Sequence, residues 1–237
     1  MSNYAEQLGL DVEFDMGRIV GEGNHLSKGR LYGNFVFDLL LYSAETLGAS
    51  VGLALGIALS AVNPMMMVAC PLIALGVGIL LKTLVMFPNY EQAEPLDVLT
   101  LMSDLYASPL RGQPAKLQGE LIGRGDAGYT FGSDLKLPDR TGMIYLRYAS
   151  RCGPIGNFLF AMKRVKSLMG MDVSALGWFR RGVAPWMDLI QLESDSGTVV
   201  NSYHRFWSFV MGIGAIAIGI ALLFVSFPAS HLTVETF

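Results

Sequence analysis

Three stretches of the chain, Thr46 to Val62, Met66 to Leu81 and Phe206 to Phe227, are apolar almost throughout and hold no Asp, Glu, Lys or Arg. A helix rises ~1.5 Å per residue and a bilayer core is ~30 Å thick, so a crossing takes about 20 residues. The pattern predicts three transmembrane helices. The first run is short and reaches span length only by borrowing residues back to about Tyr42, which sets Glu45 near the headgroups and Asp38 just outside. Phe35 to Tyr42 reads either as the start of one long tilted helix or as an interfacial segment leading into it. Asn63-Pro64 is a turn signal, so the first two spans form a helical hairpin over 33–87, with Pro71 a potential kink and Lys82 snorkelling from its end.

Between the hairpin and the last span the periodicity changes twice. Leu96, Leu99, Met102 and Tyr106 recur at helical spacing, which predicts an amphipathic linker helix within 88–110 that stops before Ser108-Pro109 and lies against either the membrane surface or the following domain. From Arg111 the period becomes two. Ala115–Ile122, Ser133–Leu137 and Met143–Tyr148 alternate as strands do, as do Asp172–Phe179 and Trp186–Leu192. A helix is expected over Ile155–Met169, with Phe158, Leu159, Met162, Val165 and Leu168 on one face and Lys163, Arg164 and Lys166 off it. Three strands, a helix and two strands are the order of a small five-stranded OB-like barrel, here over 111–200, with the helix plugging one end.

Composition agrees with a membrane class: 52% of the 237 residues are hydrophobic and 16% charged. Charge sets the expected orientation. Thirteen Lys and Arg lie between the second and third spans, Arg18, Lys28 and Arg30 precede the hairpin, and none follows Phe227. By the positive-inside rule the N-terminal segment 1–32 and the β domain are cytoplasmic, the third helix covers 204–227, and the tail 228–237 lies on the opposite side of a bacterial-type plasma or internal membrane. Residues 1–32 have no signal-peptide pattern. Under this topology Cys70 and Cys152 cannot meet, so both are free thiols.

Small residues recur every four positions within the spans: Gly48, Gly52, Gly56 and Ser60 on the first, Cys70, Ala74 and Gly78 on the second, Ala215 and Gly219 on the third. Such faces allow close backbone approach. The short turn favours a seam inside the hairpin over an interface between copies.

The chemistry-bearing motifs are weak. Gly123, Gly125 and Gly128 have G-x-G-x-x-G spacing, but the dinucleotide fingerprint needs its glycines to lead from a strand into a helix, and Gly128 leads into Tyr-Thr-Phe and a further strand. A turn or barrel bend is the better reading. Arg124-Gly125-Asp126 spells an adhesion tripeptide on a segment expected to be cytoplasmic. His25, His204 and His231 stand alone in sequence and no H-E-x-x-H is present, so neither a catalytic nor a metal site is indicated and no cofactor is expected. His204 is placed like an interfacial anchor. Asp38 and Glu45, seven apart, share a helical face, where pairing or hydration is expected over a proton relay. Trp178, Arg180 and Arg181 together with Lys163, Arg164 and Lys166 have residue types that stack on bases and bind phosphate. Residues 111–193 hold twelve basic and seven acidic residues. That excess is moderate, and an anionic bilayer surface or a protein partner explains it without nucleic acid. These six are the candidate headgroup or partner contacts.

The runs Ala107-Ser-Pro-Leu-Arg-Gly112, Gly119-Glu-Leu-Ile-Gly-Arg-Gly125, Gly153-Pro-Ile-Gly-Asn-Phe-Leu159 and Gly177-Trp-Phe-Arg-Arg-Gly182 with Pro185-Trp186 resemble the C-terminal membrane and OB-like region of long HtpX-like membrane zinc metalloproteases. Glu13-Phe-Asp-Met16 and Gly29-Arg-Leu-Tyr-Gly33 are similar to the stretch that would follow their protease domain. In that family the zinc dyad, the glutamate base and a further glutamate ligand come from the preceding domain, and this sequence has none of them. The expectation is a membrane α+β protein that is not an enzyme: a non-catalytic interaction or scaffold module, accessory to a larger membrane complex. The alternatives are the C-terminal part of an HtpX-like protease that works only with a separate zinc chain, and a lipid- or nucleic-acid-binding module.

Overall fold

The structure, a computed structural model, describes residues 27–91, 93–124, 134–182 and 184–225. The chain divides into two compact units, Met1–Phe37 and Asp38–Phe237. Of the first, the described residues lead into helix α1 (Lys28–Tyr42), whose backbone at Arg30 donates to Ser27 Oγ. Gly125 and Gly128, Asp126, His25, His231, the 13–16 run and the 228–237 tail lie outside the described residues.

In the second unit α2 (Ala44–Leu59) and α3 (Met66–Met86) form an antiparallel pair, and α7 (His204–Val225) packs against α3. Helix α3 and residues 204–224 of α7 are each 21 residues long and each contain an 18-residue stretch of mean hydropathy 2.2. Helix α2 has 16 residues and passes as a span only jointly with α1, as a pair bent at the Ser43 break. Two helices, or three if the bent pair is one span, are therefore long and apolar enough to cross a membrane. Val51, Leu55, Ile213 and Phe224 are all more than half exposed on these helices. That outward apolar surface is what lipid requires and water penalises.

Glycine holds the helices together. A Cβ at Gly52 would lie 2.6 Å from the Cys70 carbonyl oxygen, one at Gly48 2.7 Å from that of Ala74, and Gly56 faces the Met66 carbonyl; from the other side, a Cβ at Gly78 would stand 2.7 Å from the Ala44 carbonyl. Backbone lies on backbone along the whole hairpin. Ser60 ends the stripe differently, capping its own helix with a 2.7 Å bond from Oγ to the Ile57 carbonyl. On the α7 side a Cβ at Gly219 would meet Ile73 at 2.6 Å and one at Gly76 would meet Gly212. Gly219 and Gly212, seven residues apart, are the buried α7 positions, whereas Ala215 is only half-buried. Asn63 Oδ1 accepts from the Met65 backbone at 2.9 Å and shapes the hairpin turn.

The remaining elements are β1 (Glu94–Pro95), α4 (Val98–Ser103), β2 (Gln113–Glu120), β3 (Gly123–Arg124), β4 (Leu135–Pro138) and β5 (Met143–Arg147). They continue as α5 (Gly153–Lys163), α6 (Val165–Leu168), β6 (Asp172–Arg180), β7 (Trp186–Ser194) and β8 (Val199–Asn201). All five strands expected from the alternation are present. The strands form one mixed sheet in the order β1-β2-β6-β7-β5-β4-β3, with β8 on β7 and β5 parallel to β7. The closed barrel anticipated from the sequence is not formed: the ladder is an open path from β1 to β3. Its far end is nevertheless a continuation of the β2 run, because only Leu121 and Ile122 separate β2 from β3 and Ile122 donates to the Lys136 carbonyl at 3.2 Å. Leu117, Leu137, Leu146, Ala175 and Met187 face a common core, closed by Val98 and Leu101 of α4 and by Phe160, Val165 and Leu168.

Distant contacts decide which face of two helices is buried. In α4 the inward residues are Val98 and Leu101, while Leu99 and Met102 are exposed. The Asp97 carboxylate caps this helix through the Thr100 N–H at 3.0 Å, and Asp139 accepts from the Val98 N–H at 2.7 Å, which together fix its rotation. The expected helix 155–169 is broken at Arg164 into α5 and α6. Val165 and Leu168 are buried as anticipated, but Phe158, Leu159 and Met162 point outward because Phe160 stacks on Tyr148 with ring centroids 3.8 Å apart.

Replacing Gly52 with valine forces side chain into the Cys70 and Pro71 backbone, and overpacking of this kind costs about 1–3 kcal/mol. The expected outcome is a clear drop in the thermal unfolding midpoint of the detergent-solubilised protein. Gly214→Ala, at a position with no neighbour within 4 Å, leaves the midpoint unchanged or raises it.

Candidate functional site

Polar chemistry within the second unit concentrates where the C-terminal end of α3 meets the sheet. A helix ends with carbonyl groups that have no intrahelical partner and carry partial negative charge. Here cationic side chains supply the partners. Arg180, at the end of β6, reaches the Met86 carbonyl with Nη2 at 3.1 Å, gives Nη1 to the Leu110 carbonyl, and pairs through Nε with Asp188 of β7 at 2.5 Å. Arg205, in the first turn of α7, donates to the Phe87 and Pro88 carbonyls. The Gly112 N–H shares the Met86 carbonyl at 3.0 Å.

Aromatic rings fill the spaces between these bonds. Trp178 donates Nε1 to the Pro88 carbonyl at 3.0 Å and meets Phe87 edge to face at 4.9 Å. The Arg180 guanidinium lies 4.7 Å from the Phe87 ring centroid and that of Arg205 5.0 Å from Trp178. Trp186 orients the acid, donating Nε1 to the second Asp188 oxygen at 3.1 Å. Cation–π contacts of this kind gain strength when, as here, water is displaced.

A β-bulge makes the arrangement possible. The β6–β7 register shifts between Leu176 and Gly177, so that Trp178 faces Asp188 and Arg180 faces Trp186. A Cβ at Gly177 would sit 2.6 Å from the Asp188 carbonyl oxygen, so the crossing requires glycine. Beyond the bulge β6 is buried on both faces, Phe179 in the sheet core and Trp178 and Arg180 toward the helix end.

Two further ion pairs tie the helices in. Asp38 accepts from Arg111 Nε at 2.7 Å and from Ser108 Oγ at 2.8 Å, and Ser108 Oγ accepts in turn from the Leu110 and Arg111 N–H groups at 3.0 Å. Glu45 pairs with Lys82 at 3.0 Å across the hairpin. Both acids expected to be paired or hydrated are thus paired. His204 opens α7 with Nε2 on the Arg147 carbonyl at 2.8 Å, donating to it.

Of the six candidate headgroup or partner contacts, Lys163, Arg164 and Lys166 are exposed. Two need correction. Trp178 and Arg180 are 3% and 2% exposed, so their side chains serve the interior and are not presented to headgroups or partners. Arg181 is half-buried, with Nη1 on the Asp104 carbonyl at 2.6 Å. Sequence reasoning did not connect Asp188, Arg205 and Arg111 with this joint. An Arg and an Asp in adjacent apolar strands were the one available signal, because the acceptors are backbone carbonyls common to every sequence.

Elsewhere an open cleft of about 760 Å³ lies along β2, β6 and the Pro138–Thr141 turn, bearing Lys116, Glu120, Asp139, Asp172 and Asp195. Asp139 is committed to the turn, accepting from the N–H groups of Val98, Thr141 and Gly142. Burial pushes its carboxyl upward, but these bonds outweigh it and hold it below the ordinary aspartate range. Among the described residues no group of three or more His, Cys, Asp or Glu is placed to hold a metal ion. Cys70 and Cys152 are free. Comparison of the sequence with protein-family models and with curated proteins finds no match.

Removing one partner of a buried ion pair strands the other charge, at a cost of about 3–5 kcal/mol, whereas replacing both with apolar side chains of similar volume is close to neutral. Asp188→Ala is therefore expected to abolish the folded state or lower its denaturation midpoint severely. Arg180→Met combined with Asp188→Leu recovers part of the loss but not the carbonyl contacts, which denaturant titration in detergent resolves.

Proposed function

We propose that this chain is an integral membrane scaffold without catalytic chemistry of its own, an accessory subunit that presents a rigid β domain at the membrane surface to other subunits. The observation that carries the reading is the use made of its charges around the helix ends, of which Arg180 and Asp188 are buried. Arg180, Asp188, Arg205, Arg111, Asp38, Lys82 and Glu45 are engaged in fixing helix ends, the sheet and one another. A catalytic site needs such groups aimed at a space a substrate can enter; here they are aimed at backbone and at each other, which suits a joint that sets a fixed geometry.

In this reading α1–α2 make one broken span and α3 and α7 two more, and the Lys and Arg of the β domain keep that domain and the N-terminal segment cytoplasmic. The strand order, with β2 second from one end of the path and its continuation β3 at the other, a parallel β5–β7 pair and a helical insert before β6, supports an OB-like description of the domain. A second reading takes the resemblance to the HtpX-like C-terminal region at face value and makes the partner a separate zinc-protease chain. It is favoured by one observation: runs 107–112 and 177–182 and Trp186, which carry that resemblance, are the residues of the joint.

Native mass spectrometry of a mild detergent extract is expected to find the chain in a heavier assembly; an unpartnered monomer as the sole species overturns the accessory role. The purified chain is expected to bind no zinc and leave casein intact, and cleavage with bound zinc would overturn the non-catalytic reading. Cys152 is exposed, so an impermeant maleimide should label it in everted membrane vesicles and not in intact cells. The opposite pattern reverses the orientation.

A further inference from the structure

We infer that α5 is an interfacial helix, lying along the cytoplasmic bilayer surface with its apolar stripe among the acyl-chain ends and the neighbouring basic side chains on anionic headgroups. The inference rests on the membrane reading above and adds a lipid contact made by the β domain itself.

The stripe is Ile155, Phe158, Leu159 and Met162, at helical positions i, i+3, i+4 and i+7, and these residues are 73%, 40%, 46% and 50% exposed. The opposite side of the same helix is satisfied. Phe160 and Ala161 are buried in the domain, Phe160 stacks on Tyr148, and Asn157 Oδ1 accepts from the Ser150 N–H at 2.6 Å. Rotation of α5 is therefore fixed, and four large apolar side chains stay outside. In water such a stripe is a liability; a helix in the plane of the interface buries it by ~5–10 Å.

Two observations identify lipid as the occupant. The first is continuity with α7. The segment leading into α5 is bonded to the start of that helix, Tyr203 N–H donating to the Ala149 carbonyl at 2.7 Å and Ser202 Oγ accepting from the Ala149 N–H at 2.9 Å. Arg151 lies over Phe206 at 5.1 Å, and a Cβ at Gly153 would stand 3.7 Å from Trp207 Nε1. Trp207 is itself 48% exposed in the first turns of α7, where an indole marks the headgroup level of a span. Helix α5 thus starts beside a residue already at the interface.

The second observation is charge. From Ala149 to Met171 the chain has Arg151, Lys163, Arg164 and Lys166 and no Asp or Glu. All four basic side chains are exposed. An apolar stripe whose own segment carries cations and no acid matches an anionic leaflet, to which each added Lys or Arg near the surface strengthens attraction.

The test uses the full chain with Cys70 and Cys152 replaced by alanine and serine, reconstituted in bilayers containing anionic lipid, with a fluorophore on one introduced cysteine. Leu159→Cys reports on α5, Ile213→Cys on the middle of α7 and Arg140→Cys on a water-exposed turn. Quenching by a lipid spin-labelled near the headgroup is expected to be at least roughly twofold stronger at position 159 than at 140, and to weaken when Lys163, Arg164 and Lys166 become glutamine. If 213 is quenched by a chain-end label while 159 behaves like 140, the inference fails and the membrane reading stands. If 159 is shielded from aqueous iodide but unquenched by lipid, a protein covers the stripe and the inference fails. Quenching at 159 unchanged by the glutamine substitutions overturns the headgroup contact. Absence of lipid quenching at 213 overturns the membrane reading and this inference with it.

Discussion

A guanidinium removed from water must find an acid and enough acceptors, and Arg180 meets that requirement only where helix, linker and sheet meet. Its five donors cannot be satisfied by one carboxylate. Asp188 supplies the charge, Leu110 and Met86 the remaining oxygens, and Phe87 covers one face. Each acceptor belongs to a different part of the chain. The burial penalty thus becomes a condition on tertiary structure: the arginine is tolerable only if the end of α3, the 108–112 loop and both central strands are in place together. Arg205 repeats the logic from α7, whose guanidinium closes on the next two carbonyls after Met86.

The helical layer obeys a different constraint. In the proposed membrane setting apolar side chains gain nothing hydrophobic from association, so close backbone contact has to supply the attraction. Helix α3 meets this on two sides, against α2 through Gly48, Gly52 and Gly56 and against α7 through Gly76, Gly212 and Gly219. It is the shared member of both helix pairs, and its C-terminal end is also the anchor for the sheet. The smooth-sided helix and the arginine joint are two ends of one element.

How much of this the sequence discloses depends on whether the signal is local. Uncharged runs and strict alternation are local, and they located the apolar helices and the five main strands. Gly48, Gly52 and Gly56 were legible because a four-residue period marks a helix face; Gly76 and Gly212 were not, since single glycines in an apolar run carry no period. The face of α5 was misjudged where a distant contact, Phe160 on Tyr148, decides the rotation. Trp178-Phe-Arg-Arg181 reads in isolation as an exposed basic platform. Its burial follows from backbone carbonyls at Met86, Pro88 and Leu110, atoms that every residue type provides and no pattern can announce. The open ladder was missed for a similar reason, since whether the two end strands pair leaves no trace in the alternation of either.

The bulge at Gly177 has one more implication, for how lengths along the chain are constrained. In a regular ladder residues on one face stay in step indefinitely, and a strand can lose two residues without changing which side chains point where. Here β7 carries one unmatched residue, Ile190, whose carbonyl is claimed by Ser202, and Asp188 reaches the helix-facing side by virtue of that odd count. The intervals from Gly177 to Arg180 and from Asp188 to Ile190, which join the bulge to the ion pair, are consequently fixed rulers. Divergent sequences sharing this architecture should be sought by those spacings, with glycine three residues ahead of the arginine, before any similarity of the residues in between.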